Sequence, residues 1–82
     1  METTRTLNSL ALNEEAVIIK TPENSDLSRR LLDLGFITGT KVRCVLTGPG
    51  AESAAYRIRG TTIALRKEDA SQIVIHDHRP RG

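Results

Sequence analysis

Tryptophan is missing from the 82 residues, and Phe36 and Tyr56 are the only aromatics. The filling of any core must therefore come from Leu, Ile, Val and Ala, which suits a small closed or two-layer fold. A second cysteine is also missing. Cys44 alone cannot form an internal disulfide, so the chain is no stapled secreted scaffold and its core must hold the fold unaided. Long apolar runs are absent too: the longest aliphatic stretch, residues 16–19, falls far short of the roughly 20 residues a membrane-spanning helix requires. The start lacks the apolar segment of a signal peptide, since Leu7, Leu10 and Leu12 are separated by polar residues. These absences point to a cytoplasmic chain, and its length excludes a two-domain enzyme.

A strong charge of one sign is lacking as well, with 12 basic against 10 acidic residues and a net charge of +2. The distribution is uneven. Residues 41–67 carry six basic residues against Glu52 alone, a local balance of +5, between mildly acidic flanks. Arg43, Arg57, Arg59 and Arg66 share the parity opposite the apolar positions, so on neighbouring strands they would line one solvent-facing stripe. Such a stripe suits phosphates, an acidic protein surface or plain solubility. Nucleic-acid-binding barrels interleave aromatic platforms for base stacking, and Tyr56 falls on the inward parity.

The elements follow from period and punctuation. Val17, Ile18 and Ile19 mark a strand over residues 16–20. Asn24, Ser25 and Asp26 are alternative N-caps for a helix over about residues 26–34, with Leu27, Leu31 and Leu34 as its apolar stripe. Gly35 stands where a left-handed residue would end it, with Phe36 folding back on Leu31. Leu32 falls outside the stripe, so it is either covered by a rim or terminal segment or exposed to a partner.

Thr38-Gly39 predicts a type II turn. Residues 41–46 alternate, placing Val42, Cys44 and Leu46 on one side of a strand, and the Gly- and Pro-rich residues 47–53 predict a loop. Gly60-Thr61 predicts a type II′ hairpin that pairs Arg59 with Thr62, Ile58 with Ile63 and Tyr56 with Leu65. A helical turn near residues 67–71 and a last strand over 72–76, with Ile73 and Ile75 on one face, complete the chain. One strand, one helix and four further strands suit a small barrel that closes its own edges. Residues 1–76 form the domain, and residues 77–82 a flexible basic tail.

Catalytic constellations are missing. Gly48-Pro49-Gly50 has no following Gly-Lys-Ser/Thr, and its proline lacks the N–H that a phosphate loop uses. Cys44, between Val42 and Leu46, reads as a buried filler, with no base beside it. The sequence implies no enzyme and no cofactor. His76 and His78 have the one metal-like spacing, and two imidazoles do not complete a zinc or iron site; a solvated strand end and a site shared between subunits are the two readings.

Taken together, residues 27–39 (Leu-Ser-Arg-Arg-Leu-Leu-Asp-Leu-Gly-Phe-Ile-Thr-Gly), Tyr56-Arg-Ile-Arg-Gly60 and Ile63-Ala-Leu-Arg-Lys-Glu-Asp-Ala70 resemble the FeoA family of bacterial ferrous-iron transport proteins. Ile73-Val-Ile75 extends the likeness, which covers about residues 7–75. The chain departs from the family in the loop before the hairpin, where Ala51-Glu52-Ser53 replaces the common Gly-Asp-Pro. It departs again at Asn13, where Gly is frequent. The resemblance implies an SH3-like barrel and a cytosolic accessory to FeoB, the GTP-binding Fe²⁺ permease. That partner would hold the chain at the inner face of the membrane without lipid insertion, with Leu32, Arg43, Arg57, Arg59 and Arg66 as the candidate partner-binding residues. Similar barrels in repressors of the DtxR type imply the alternative, a nucleic-acid-binding or transcriptional-regulator interaction module. A homo-oligomer stays open.

Overall fold

The computed structural model describes residues 4–50 and 52–77. Its strands are β1 (Thr4–Thr6), β2 (Glu15–Lys20), β3 (Lys41–Leu46), β4 (Ser53–Ile58), β5 (Thr61–Arg66) and β6 (Val74–Asp77). A 3₁₀ turn follows β1 at Leu7–Ser9, helix α1 (Asp26–Leu34) joins β2 to β3, and the short helix α2 (Lys67–Ala70) follows β5. All neighbouring strands are antiparallel, in the order β1-β6-β2-β3-β4-β5.

Local chemistry accounts for α1 at both ends. Ser25 is the N-cap: the Ser28 N–H donates to Ser25 Oγ (3.0 Å) and the Ser25 N–H donates to Ser28 Oγ (3.1 Å), a reciprocal capping box. At the other end Gly35 takes φ +102°. The Phe36 N–H then reaches the Leu31 carbonyl (2.9 Å) and the Gly35 N–H the Leu32 carbonyl (3.1 Å), the two bonds of a Schellman motif. Leu31 is fully buried and Leu27 packs against the core, whereas Leu34, expected in the same stripe, lies at its edge and is exposed. The turn at Thr38-Gly39 forms with Gly39 at φ +94° and the Thr40 N–H on the Ile37 carbonyl (3.0 Å).

The core is mostly aliphatic, with the rings of Phe36 and Tyr56: Leu7, Ile18, Leu31, Phe36, Tyr56, Ile58, Leu65, Ile73 and Ile75 are among its members. The Tyr56 hydroxyl crosses it to the Leu7 carbonyl (3.5 Å), so β4 meets the segment after β1. The Leu7 N–H donates to the Ile73 carbonyl (2.9 Å). Burial pushes the Tyr56 phenol up to about 12.

Four further expectations are corrected. Strand β1 was not anticipated, since Thr-Arg-Thr has no apolar alternation; it exists because Thr4, Arg5 and Thr6 pair with His76, Ile75 and Val74. Arg5 then bonds Asp77 (3.0 Å) and Glu14 (3.0 Å), fastening this edge. The hairpin turn is Arg59-Gly60, with φ +52° and +80°, the type I′ pattern whose twist suits the flanking strands. Its register pairs Tyr56 with Ile63 and Ile58 with Thr61. That is a slip of two from the expected pairing, which leaves Tyr56, Ile58, Ile63 and Leu65 on one face as expected and moves Arg59 into the turn. Leu46 does not face inward with Val42 and Cys44: a bulge sets Cys44 opposite Tyr56 but Leu46 opposite Ala55, and Leu46 turns out to solvent. Lastly, the ladder ends on β1 and β5, which are not paired with each other among the described residues, so the curled sheet does not close. Asp77 pairs with Ala16 as the end of β6, and the rest of the expected tail, 78–82, lies outside the described residues.

Candidate interaction surface

The outer face of the sheet carries one row of side chains across four strands. Glu15 on β2 is opposite Arg43 on β3, Arg43 is opposite Arg57 on β4, and Arg57 is opposite Thr62 on β5. Glu15 Oε2 accepts from Arg43 Nη2 (2.8 Å) and Nε (3.2 Å). Arg57 makes no ion pair with any described residue, and it directly faces a like charge, an arrangement that disfavours pairing of the strands. Lys41 adds a third cation two residues along β3, and Glu15, Lys41, Val42, Arg43 and Arg57 line a depression of about 250 Å³.

The adjacent row is apolar. The bulge that turns Leu46 outward sets it against Ala55, which faces Ala64 on β5. Leu46 is 66% exposed, the most exposed large hydrophobic residue described. Counting by parity hides it, because the count runs unbroken through a bulge; the nearby Thr47-Gly48-Pro49-Gly50 is the only hint that the strand's end is irregular.

The other expected arginines lie elsewhere. Arg59 takes a left-handed conformation at the hairpin tip, and its Cδ lies 3.5 Å from where a Cβ on Gly35 would stand, beside the C-terminus of α1. Arg66 ends β5 opposite Ser53, 3.7 Å from Glu68. The structure thus brings Arg43 and Arg57 together and separates Arg59 and Arg66 from them.

Leu32 is exposed on α1. With Pro22, Phe36 and Ile37 it lines a groove of about 830 Å³, rimmed by Glu23, Asp26 and Arg29. This groove and the sheet face differ in sign, since carboxylates outnumber cations on the one and cations outnumber carboxylates on the other.

Neither nucleophile nor metal chemistry gathers around these surfaces. Cys44 is fully buried and burial raises its thiol pKa, with a smaller opposing effect from the backbone of Leu46. His76 lies in β6, its Nδ1 2.9 Å from the Asp77 carbonyl, and His78 lies outside the described residues. Among the described residues no three His, Cys, Asp or Glu converge as a metal site, and no helix is long and apolar enough to cross a membrane.

Comparison with known proteins assigns the class. The FeoA domain family matches residues 5–77, and the chain belongs to that family. It is 30% identical over 69 residues to an Fe(2+) transport protein A/Fe(2+) transporter FeoB fusion protein of Porphyromonas gingivalis. The match covers 84% of this chain and only 8% of that protein. Stenotrophomonas maltophilia FeoA, solved in complex with zinc and described as a procaryotic SH3 domain protein, is 36% identical with a TM-score of 0.74, covering 85% of this chain and 87% of that one. A FeoA-like protein from Clostridium acetobutylicum superposes at TM-score 0.85 and 24% identity, covering 100% and 95% of the two chains. The same fold makes up 44% of a manganese-dependent transcriptional repressor (TM-score 0.84, 14% identity, 95% of this chain). The fold is SH3-like, mostly β, with the single longer helix where the sequence placed it.

Proposed function

We propose that this chain is a cytosolic accessory domain of ferrous-iron uptake that acts by docking on a FeoB-type GTP-binding permease, without catalysing a reaction. The observation that carries this reading is the Porphyromonas gingivalis protein, in which a FeoA-like segment and an Fe²⁺ transporter share one polypeptide. Covalent fusion sets a high local concentration of one module beside the other, and separate chains need a surface that does the same work. The exposed cationic row on the sheet supplies a surface suited to protein rather than to bases, because Tyr56, the one ring on β4, is 1% exposed and cannot stack on a nucleotide.

The test is retention of the full chain by a detergent-solubilised FeoB-type permease, with GTP, with GDP and without nucleotide, together with Fe²⁺ uptake by cells from which the chain has been deleted. Retention in at least one nucleotide state and uptake restored by the wild-type chain are expected. No retention in any state, with uptake unchanged by the deletion, would overturn the reading. A transcriptional-regulator module is favoured by the repressor's fold alone, and it predicts a mobility shift of DNA or co-purification with a regulator instead.

A further inference from the structure

We infer that the outer face of β3, β4 and β5 is a two-row receptor for an acidic segment of a partner protein that carries an apolar side chain beside its carboxylates. The inference deepens the docking reading above and rests on it for the identity of the partner, but not for the chemistry of the surface.

Three observations meet here. Arg43 and Arg57 stand directly opposite each other, yet among the described residues the one carboxylate that pairs with either is Glu15, which accepts two hydrogen bonds from Arg43. A carboxylate entering over Arg57 would relieve the like-charge pair, and its second oxygen could share Arg43 with Glu15. Second, these cations and Lys41 line a shallow depression on the sheet, so the charge lies around a recess. Third, the neighbouring row, about 7 Å away by strand geometry, is Leu46, Ala55 and Ala64, and Leu46 reaches it only because of the bulge. A large apolar side chain turned to solvent next to two arginines costs solubility and contributes nothing to the core. An acidic and apolar segment laid along β4 satisfies both rows at once: carboxylate on the arginines, apolar side chain on Leu46. Charge complementarity selects protein carboxylates here over the α1 groove, where Glu23 and Asp26 would repel them. Nucleic acid would satisfy the arginines and leave Leu46 without a partner.

Glu15 has a definite part in this account. It holds Arg43 in place when the surface is empty and competes for it when the surface is filled. Removing its charge must therefore strengthen binding, an effect that a purely structural ion pair would not produce.

The experiment is a titration of the isotopically labelled full chain, followed by amide chemical shifts in low salt, with the capped peptide Gly-Glu-Leu-Glu-Gly. Gly-Lys-Leu-Lys-Gly and an oligothymidylate of eight nucleotides serve as controls. Saturable shifts at Arg43, Leu46, Ala55, Arg57 and Ala64, abolished by about 0.5 M salt, are expected for the acidic peptide alone. Arg57→Glu should weaken binding by roughly tenfold, Leu46→Ser by a few-fold, and Glu15→Gln should tighten it by a few-fold. All three positions are on the surface, and an unchanged spectrum away from the site shows that each variant folds. Shifts confined to α1, equal affinity for the lysine peptide or the oligonucleotide, or weaker binding by Glu15→Gln would overturn the inference. The permease assay separates the two readings. Retention of wild type and Arg57→Glu alike refutes this surface while docking stands; peptide binding without permease retention refutes docking while the surface stands.

Discussion

Strands β3 and β4 face two ways with two chemistries. Inward they present Val42, Cys44, Tyr56 and Ile58, none more than 1% exposed; outward they present Lys41, Arg43, Arg57 and Leu46. The inner residues are weakly polar or apolar, and their main role is to fill volume. The outer ones are specific in kind and opposed in charge to what would make the strands pair best. The difference separates two demands on one ribbon. The inner face decides which fold forms, and the outer face, whose members contribute little to stability, is free to carry recognition.

Substitutions at the two faces should then differ in what they damage, and the largest effect falls inside. Ile58→Ala removes a buried side chain from the core and should cost about 2–5 kcal/mol in urea unfolding. A loss below about 1 kcal/mol would mean that the inner face is not the fold's anchor. For a domain of this size the expected loss is a large part of the total stability.

Next comes pH. The Tyr56 phenol is raised to about 12 from an ordinary value of 10.0 because burial disfavours the phenolate. Its stabilising contribution is fully present below about pH 10, where the unfolded chain's phenol is protonated, and is lost as pH rises from 10 to 12. The loss is on the order of 2–3 kcal/mol. Unfolding curves between pH 9 and 12 should show it, and Tyr56→Phe should remove that part of the alkaline dependence while leaving stability at pH 7 close to wild type, since the bond to the Leu7 carbonyl is long.

The smallest effect is outside. Arg57→Gln takes away a like charge opposite Arg43 and should leave stability within about 0.5 kcal/mol of wild type, or raise it. A clear destabilisation would mean that Arg57 is part of the scaffold, and the contrast between the faces would fail.

Much of the inner face was legible in the sequence because its rules are local. Ser25, one of three N-cap alternatives, with Gly35 and Phe36 fixes α1 through bonds that span no more than five residues, and alternation alone assigns Tyr56, Ile58 and Leu65 to the core. What was illegible depends on distant partners or on breaks in alternation. Strand β1 has no pattern of its own and is held by β6, some seventy residues away. The hairpin register depends on whether Gly60 is the first or second turn residue, and both choices put the same residues inside. At the candidate surface parity puts Arg43 and Arg57 on one face, and their direct opposition comes from the β3–β4 register. Arg59 departs because a turn residue at positive φ leaves the strand's two-residue period, and Leu46 arrives because a bulge inverts it.

Leu46 on the sheet and Leu32 on α1 are exposed to similar degrees, 66% and 58%, so the free chain should be oxidised at both by hydroxyl radicals. Radical footprinting of the chain with and without a FeoB-type permease therefore reads directly which face a partner covers. Oxidation of Leu46 should fall several-fold in the complex while Leu32 reacts as before. Protection of Leu32 with Leu46 unchanged would contradict the assignment of recognition to the outer face of the sheet.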